Sequence, residues 1–134
     1  MYNKKVLSIF QNPKNAGGMK GANGTGKVGE VGCGDIMKFY LQIEDEVIQE
    51  ARFKVYGCCA AIASADVVCD LVKGMPVSNA LSLTSADIIE VLEELPSNKV
   101  YCASLAVDGI KDAIADYHKR LEKLQKKEQA QEGE

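Results

Sequence analysis

Four residues spread along this 134-residue chain could together hold a metal: Cys33, Asp35, Cys58 and Cys102. Thiolates bind iron-sulfur clusters and zinc, and a carboxylate is a harder and weaker ligand for such metals. The chain has five cysteines, an odd number, and they are widely spaced in a sequence whose start shows no export signal. This pattern favours reduced thiols over disulfides, and we therefore expect a cytoplasmic protein.

Three of these cysteines lie at predicted element boundaries. Cys33 precedes one strand, Cys58 follows the next strand, and Cys102 precedes the last helix. Because antiparallel strands start and finish at the same edge, we expect Cys33 and Cys58 to lie close together. Cys58 and Cys102 are predicted just ahead of helix N-termini, where unpaired N–H groups and the helix dipole lower the pKa of a thiol. Such thiolates would favour metal binding, with Asp35 as a carboxylate beside them.

Free cysteines are also common as small core residues. We assign that role to Cys69, which falls on the apolar stripe of a predicted helix. For the other cysteines spacing alone leaves the matter open, because the sequence has no Cys-x-x-Cys pair. Two other classes of protein remain at this point: a zinc protein, and a thiol enzyme that uses Cys102 or the Cys58-Cys59 pair.

A predicted pair of strands helps to position these residues. Apolar and polar residues alternate over 37–43 and 47–55, which predicts an antiparallel hairpin with an acidic turn. A two-stranded ribbon is marginal alone, so a third strand, from residues 27–31, or a helical layer must cover it. The glycine-rich segment 12–34 predicts a long loop.

Apolar residues at helical spacing predict four helices. The third opens with a capping box formed by Thr84 and Asp87, and the fourth carries a long apolar stripe. The predicted helices cover residues 3–11, 60–73, about 84–95 and about 110–124. With the strands they predict an α+β fold, in which a small antiparallel sheet of about three strands packs against a layer of helices and a long helix lies at the C-terminus.

Length and composition suit one globular domain. We expect it to span residues 1–127, followed by a frayed tail over 128–134. The net charge of -3, from 16 basic and 19 acidic residues, argues against nucleic acid and anionic membranes as partners. No apolar run at the start is long enough to span a membrane.

Several short motifs follow one another from about Tyr2 to Tyr117. They are Asn12-Pro-Lys-Asn-Ala-Gly17, Cys33-Gly-Asp-Ile-Met-Lys38, Ala51-Arg-Phe-Lys-Val-Tyr-Gly-Cys58, Ala61-Ile-Ala-Ser64, and Leu95-Pro96 leading to Cys102. Through these motifs and their order the chain resembles the iron-sulfur cluster assembly scaffold family, the IscU proteins and the N-terminal domain of NifU.

The resemblance implies a scaffold without substrate turnover of its own. It would receive sulfur from a pyridoxal-phosphate cysteine desulfurase, collect iron, assemble a [2Fe-2S] cluster and pass it to acceptor proteins. By position, Cys33, Cys58 and Cys102 become thiolate ligands and Asp35 the exchangeable fourth ligand. Cys102 also becomes the acceptor of persulfide sulfur. Zinc is a further metal that an isolated sample could contain.

The chain departs from the family pattern at three places. Tyr101 stands where many relatives have His, so the fourth ligand falls to Asp35. Residues 95–99 read Leu-Pro-Ser-Asn-Lys instead of Leu-Pro-Pro-Val-Lys, the docking peptide for a dedicated chaperone, so a chaperone partner is not expected. Cys59 replaces a common Gly, which is most simply a packing substitution.

Relatives devoted to sulfur relay through zinc usually carry an insertion between the second and third cysteines. Here 43 residues separate Cys58 from Cys102. This spacing favours the cluster scaffold, and a zinc-binding sulfur-acceptor protein in sulfur relay is the alternative. The oligomeric state is left open by the sequence, with a homodimer among the possibilities.

Overall fold

The structure, a computed structural model, describes residues 2–30 and 34–132. Within these residues the chain forms three strands and five α-helices. The strands are β1 (Gly24–Glu30), β2 (Asp35–Glu44) and β3 (Val47–Tyr56). The helices are α1 (Lys4–Gln11), α2 (Cys59–Val72), α3 (Val77–Ala80), α4 (Ser85–Leu92) and α5 (Val100–Glu132). A short 3-10 turn, Ser97–Lys99, leads into α5.

The strands form one antiparallel sheet in the order β1-β2-β3. The predicted hairpin and its acidic turn are confirmed. Asp45 and Glu46 connect β2 to β3 with φ values of 51° and 60°. Two successive residues with positive φ are the mark of the tight turn whose twist matches that of the flanking strands.

Gly24–Glu30 form the edge strand β1, so the predicted third strand from residues 27–31 is confirmed as far as Glu30, and the predicted loop over residues 12–34 is wrong for Gly24–Glu30. Its glycines allow a helix to come very close. A Cβ atom on Gly24 would lie 2.6 Å from the backbone oxygen of Ala113 in α5, and one on Gly26 would lie 2.6 Å from the Ala113 nitrogen. Glycine in this strand therefore reflects close backbone approach rather than a loop.

Helix α5 also supplies hydrogen-bond acceptors for backbone N–H groups on the outer edge of β1. The backbone N–H of Thr25 donates to Asp116 Oδ2 at 2.9 Å, and that of Lys27 donates to Asp112 Oδ2 at 3.0 Å. The two acceptors are four residues apart on one helix face, and the two donors are two residues apart on one strand edge. These spacings match because one helical turn and two strand residues cover similar lengths, roughly 6 Å.

The opposite edge of the sheet is covered by the Asn12–Gly17 motif. The Phe53 N–H donates to Asn15 O at 3.0 Å, and the Gly17 N–H donates to Phe53 O at 2.8 Å. Asn15 is buried, and its side chain donates to Asp66 O at 3.1 Å and to Asp70 Oδ1 at 2.9 Å on α2. The motif thus fastens the segment after α1 to both α2 and β3.

One face of the sheet packs on α2 and α5 to form the core. Met37, Phe39 and Leu41 on β2 are fully buried. Helix α2 is buried along most of its length, and Cys69 within it is fully buried, as expected for a core residue. The capping box of α4, Thr84 with Asp87, is confirmed. The structure therefore has the predicted α+β architecture.

The C-terminal helix is longer at both ends than the sequence predicts. It begins at Val100, so Cys102 lies in its first turn and not ahead of it. It continues to Glu132, beyond residue 127, after which fraying is predicted.

Among the described residues, no helix combines the length and the apolar character needed to cross a membrane.

Replacing Gly26 with Ala is expected to lower the free energy of unfolding by about 1–3 kcal/mol, because the added methyl group overpacks the contact between β1 and α5. The measurement is the denaturant midpoint. Gly18→Ala is the matched control, since a Cβ there meets only the flexible Lys54 side chain at 3.5 Å. Equal midpoints for the two variants would contradict the packing role of Gly26.

Candidate metal centre

Three of the four predicted ligands are brought together by the structure. One ligand atom from each of Asp35, Cys58 and Cys102 lies within 4.8 Å of the other two. The sulfurs of Cys58 and Cys102 are 3.8 Å apart. Cys33 lies outside the described residues, so its predicted place in the group stays a prediction.

Three different elements supply this group. Asp35 is the first residue of β2, Cys58 is the N-cap of α2 directly after β3, and Cys102 lies in the first turn of α5. The start of β2 and the end of β3 meet because the strands are antiparallel and in register, with Ile36 opposite Tyr56. Helix α5 packs on both the sheet and α2, which brings its first turn to the same edge.

The Asp35 carboxylate is held by two donors. It is only 4% exposed, and its Oδ1 accepts from the Cys58 N–H at 3.2 Å. The Tyr101 hydroxyl donates to Oδ2. A Cβ atom on Gly57 would overlap Asp35 Oδ1, so the carboxylate fits there only because residue 57 is glycine. The orientation of Asp35 is therefore set before any metal binds.

The distance between the two sulfurs fits one shared metal ion. Two thiolates on a tetrahedral metal, each about 2.3 Å from it, lie about 3.8 Å apart. Cys58 and Cys102 have this separation, 3.8 Å, with both thiols free. A disulfide would need about 2.05 Å. The two thiols and the Asp35 carboxylate thus present soft and hard ligands at metal-binding distances.

The expectation of a lowered pKa for Cys102 is wrong. Burial and, to a smaller extent, the neighbouring Cys58 raise the pKa of Cys102 to about 12. Its side chain is fully buried in the first turn of α5, so the loss of hydration outweighs the helix dipole. Cys102 therefore keeps its proton near neutral pH in the free protein, and a metal must displace that proton to bind.

Two tyrosines complete the surroundings of the site, and sequence reasoning missed the role of both. Tyr101 was noted only for replacing His, yet its hydrogen bond to Asp35 raises the pKa of Tyr101 and makes it a lasting donor. Tyr2 is half-buried beside Cys58. Burial, then the nearby Cys58, raises the pKa of Tyr2 to about 12.

The placement of Tyr2 depends on contacts far away in the chain. The Asn3 side chain donates to the Leu92 carbonyl at 2.9 Å, which anchors the start of α1 to the end of α4. No local sequence pattern around Tyr2 predicts the contact between Asn3 and Leu92. The only signal in the sequence is that the family motifs begin near that residue.

A thiol hydrolase finds no support in this arrangement. His118 is the single histidine of the chain, and its ring lies 3.3 Å from Glu46 at the β2–β3 turn. That turn and Asp35 are at opposite ends of β2, about 30 Å apart along the strand. A cysteine nucleophile needs its base within hydrogen-bond reach. Cys59 is half-buried and lies outside the three-residue group.

Comparison with known sequences finds a family profile and relatives that match most of the chain. The family profile described as the NifU-like N terminal domain matches residues 1–124. The iron-sulfur cluster assembly scaffold protein IscU of Escherichia coli K12 is 44% identical over 125 residues, which cover 90% of this chain and 97% of that protein. The iron-sulfur cluster assembly scaffold protein IscU 1 of Archaeoglobus fulgidus is 39% identical over 126 residues, with coverages of 94% and 82%.

Solved structures share the fold. A NifU-like N-terminal protein from Brucella abortus superposes with a TM-score of 0.72 at 20% identity, covering 87% of this chain and 94% of that chain. An iron-sulfur cluster assembly scaffold protein for the SUF system from Fervidobacterium islandicum superposes with a TM-score of 0.69 at 17% identity, with coverages of 84% and 95%.

Proposed function

The chain belongs to the family of NifU-like N-terminal domains, and from this premise we propose that it assembles [2Fe-2S] clusters and passes them to acceptor proteins. Cys33, Asp35, Cys58 and Cys102 are the ligands in this proposal. The observation that carries it is the grouping of Asp35, Cys58 and Cys102, whose ligand atoms all lie within 4.8 Å of one another. The protein is a scaffold, and the cluster is its cargo.

Each ligand has a distinct part in the proposal. The thiolates of Cys33, Cys58 and Cys102 hold iron, for which soft sulfur ligands are well suited. Asp35 is the exchangeable ligand, because a carboxylate is the weakest donor of the set for such a centre. The carboxylate accepts two hydrogen bonds, from Tyr101 and from the Cys58 N–H, and these keep it in place while its bond to iron is exchanged.

Sulfur reaches the site, in this proposal, from the persulfide of a cysteine desulfurase. The Cys102 thiol loses its proton as its sulfur attacks the outer sulfur of that persulfide, the sulfur–sulfur bond of the donor breaks, and the desulfurase cysteine leaves as a thiolate that can take up the proton. Cys102 is fully buried in the structure, whereas Cys58 is half-buried. Direct transfer to Cys102 therefore requires its surroundings, including Tyr2 or Tyr101, to open when the desulfurase docks.

A zinc-binding sulfur acceptor is the second candidate. The sulfur-to-sulfur distance of 3.8 Å suits tetrahedral zinc as well as iron. The spacing of 43 residues between Cys58 and Cys102, without the insertion of the zinc-dependent relatives, favours the cluster scaffold.

Anaerobic incubation with ferrous iron, cysteine and a cysteine desulfurase tests the proposal. We expect visible absorbance of a [2Fe-2S] centre and equal amounts of bound iron and sulfide, both dependent on the desulfurase. The control omits the desulfurase and keeps every other component. Tight zinc retention without any visible absorbance would instead establish the zinc-binding sulfur acceptor.

A further inference from the structure

Breaking the bond between iron and Asp35 leaves a carboxylate that is nearly buried. The residue is only 4% exposed, so little water can reach the released carboxylate. An ionised carboxylate kept away from water is unfavourable unless groups of the protein donate hydrogen bonds to it. The ease with which Asp35 exchanges therefore depends on the donors that receive it.

Two neutral donors reach this carboxylate. The Cys58 N–H donates to Asp35 Oδ1 at 3.2 Å, and the Tyr101 hydroxyl donates to Oδ2. Neither ion pair found in the described part of the chain involves Asp35. The first donor belongs to the backbone, so among these contacts Tyr101 is the one supplied by a side chain.

Tyr101 lies at the surface, in the first turn of α5 and directly before Cys102. It is 42% exposed, and it is not one of the residues that form the apolar core or pack against it in the described part of the chain. Its hydroxyl nevertheless reaches the nearly buried carboxylate of Asp35. The contribution of this hydroxyl is therefore to Asp35 rather than to the packing of the core.

We propose that Tyr101 is the positioning residue that makes Asp35 exchangeable, because its hydroxyl stabilises the carboxylate that has left iron. The inference rests on the proposed scaffold function and adds the residue that controls the exchange. A hydrogen bond to a carboxylate with its full charge is stronger than one to a carboxylate that shares its charge with a metal. Tyr101 thus stabilises the released state of Asp35 more than the bound state, and it speeds release.

Cobalt(II) tests the proposal without any cluster, because its thiolate complexes absorb visible light. The protein is loaded with cobalt(II) under anaerobic conditions, an excess of a chelator is added, and the loss of absorbance is followed. Tyr101→Phe is expected to release the metal about tenfold more slowly than the wild type, since a hydrogen bond to a charged group is worth at least about that factor. Transfer of a [2Fe-2S] cluster to an apo ferredoxin should slow as well, while the denaturant midpoint should stay unchanged.

The sign of the change separates this role from a merely structural one. A variant that only loosens the site loses its metal faster, whereas the proposal requires slower loss. The effect of Tyr101→Phe should also vanish in the Asp35→Ala background, because Tyr101 acts through that carboxylate. Tyr40→Phe is the matched control, since Tyr40 is on β2 about 16 Å from Asp35 along the strand, and it should release the metal at the wild-type rate.

Unchanged or faster release from Tyr101→Phe would overturn the proposal. So would equal slowing in Tyr40→Phe, or an effect of Tyr101→Phe that persists without Asp35. A wild-type protein that binds cobalt(II) but assembles no cluster would count against the scaffold function, and the cobalt(II) rates would still decide the role of Tyr101. A wild-type protein that binds no cobalt(II) would overturn the metal centre and this proposal together.

Discussion

Replacing Cys58 or Cys102 with Ala is expected to abolish cluster assembly, with a loss of metal affinity of at least about a hundredfold. Changing a residue that merely supports a metal ligand costs about 10–100-fold, and removing the ligand itself costs more. The two sulfurs lie 3.8 Å apart, so either deletion leaves half of the pair that would share one metal ion. The measurement is visible absorbance and bound iron after anaerobic reconstitution.

The remaining cysteines provide matched controls for that loss. Cys59→Ala removes the neighbour of Cys58, which lies outside the three-residue group. Cys69→Ala removes a thiol that is fully buried within α2. Both controls should retain most of the absorbance, and far-ultraviolet circular dichroism should show that all variants fold. A loss in Cys59→Ala as large as that in Cys58→Ala would show that the ligand has been assigned to the wrong member of the pair.

Replacing Asp35 with Ala is expected to give a cluster that persists longer and transfers at least about tenfold more slowly, because removal of the weakest ligand removes the point of exchange. The measurements are the decay of the visible absorbance and the rate of transfer to an apo acceptor. Asp35→Asn is informative as a second variant, since it keeps the shape of the side chain and an acceptor oxygen for Tyr101.

Glu90→Ala is the control for Asp35→Ala, because Glu90 is an exposed carboxylate on α4, away from the three-residue group. It should leave both cluster lifetime and transfer rate unchanged. Complete failure of Asp35→Ala to bind a cluster would mean that the carboxylate is an essential ligand. Its assigned part in exchange would then be wrong.

Local patterns predicted much of the fold. Alternation of apolar and polar residues identified β2 and β3, and the spacing of Thr84 and Asp87 identified the start of α4. The meeting of Asp35 with Cys58 follows from the hairpin, because both lie at the same end of an antiparallel pair. These features depend on residues close in sequence or on a single turn.

Features created by tertiary contacts were not predictable in this way. The glycines of β1 indicate a loop when read alone, and they serve a strand only because the α5 backbone at Ala113 lies against them. The raised pKa of Cys102 depends on burial, which no helix-terminus rule contains. The place of Tyr2 depends on the contact between Asn3 and Leu92, 89 positions apart.

The covered edges of the sheet have a consequence for self-assembly. A free strand edge is a template on which another chain can add a strand, and this is a route to aggregation. Here the carboxylates of Asp112 and Asp116 accept hydrogen bonds from backbone N–H groups of β1. The backbone of the segment Asn15–Gly17 forms hydrogen bonds with the backbone of Phe53 on β3. If the site opens as proposed, the protein can thus do so without offering these covered stretches of strand to a second copy of itself.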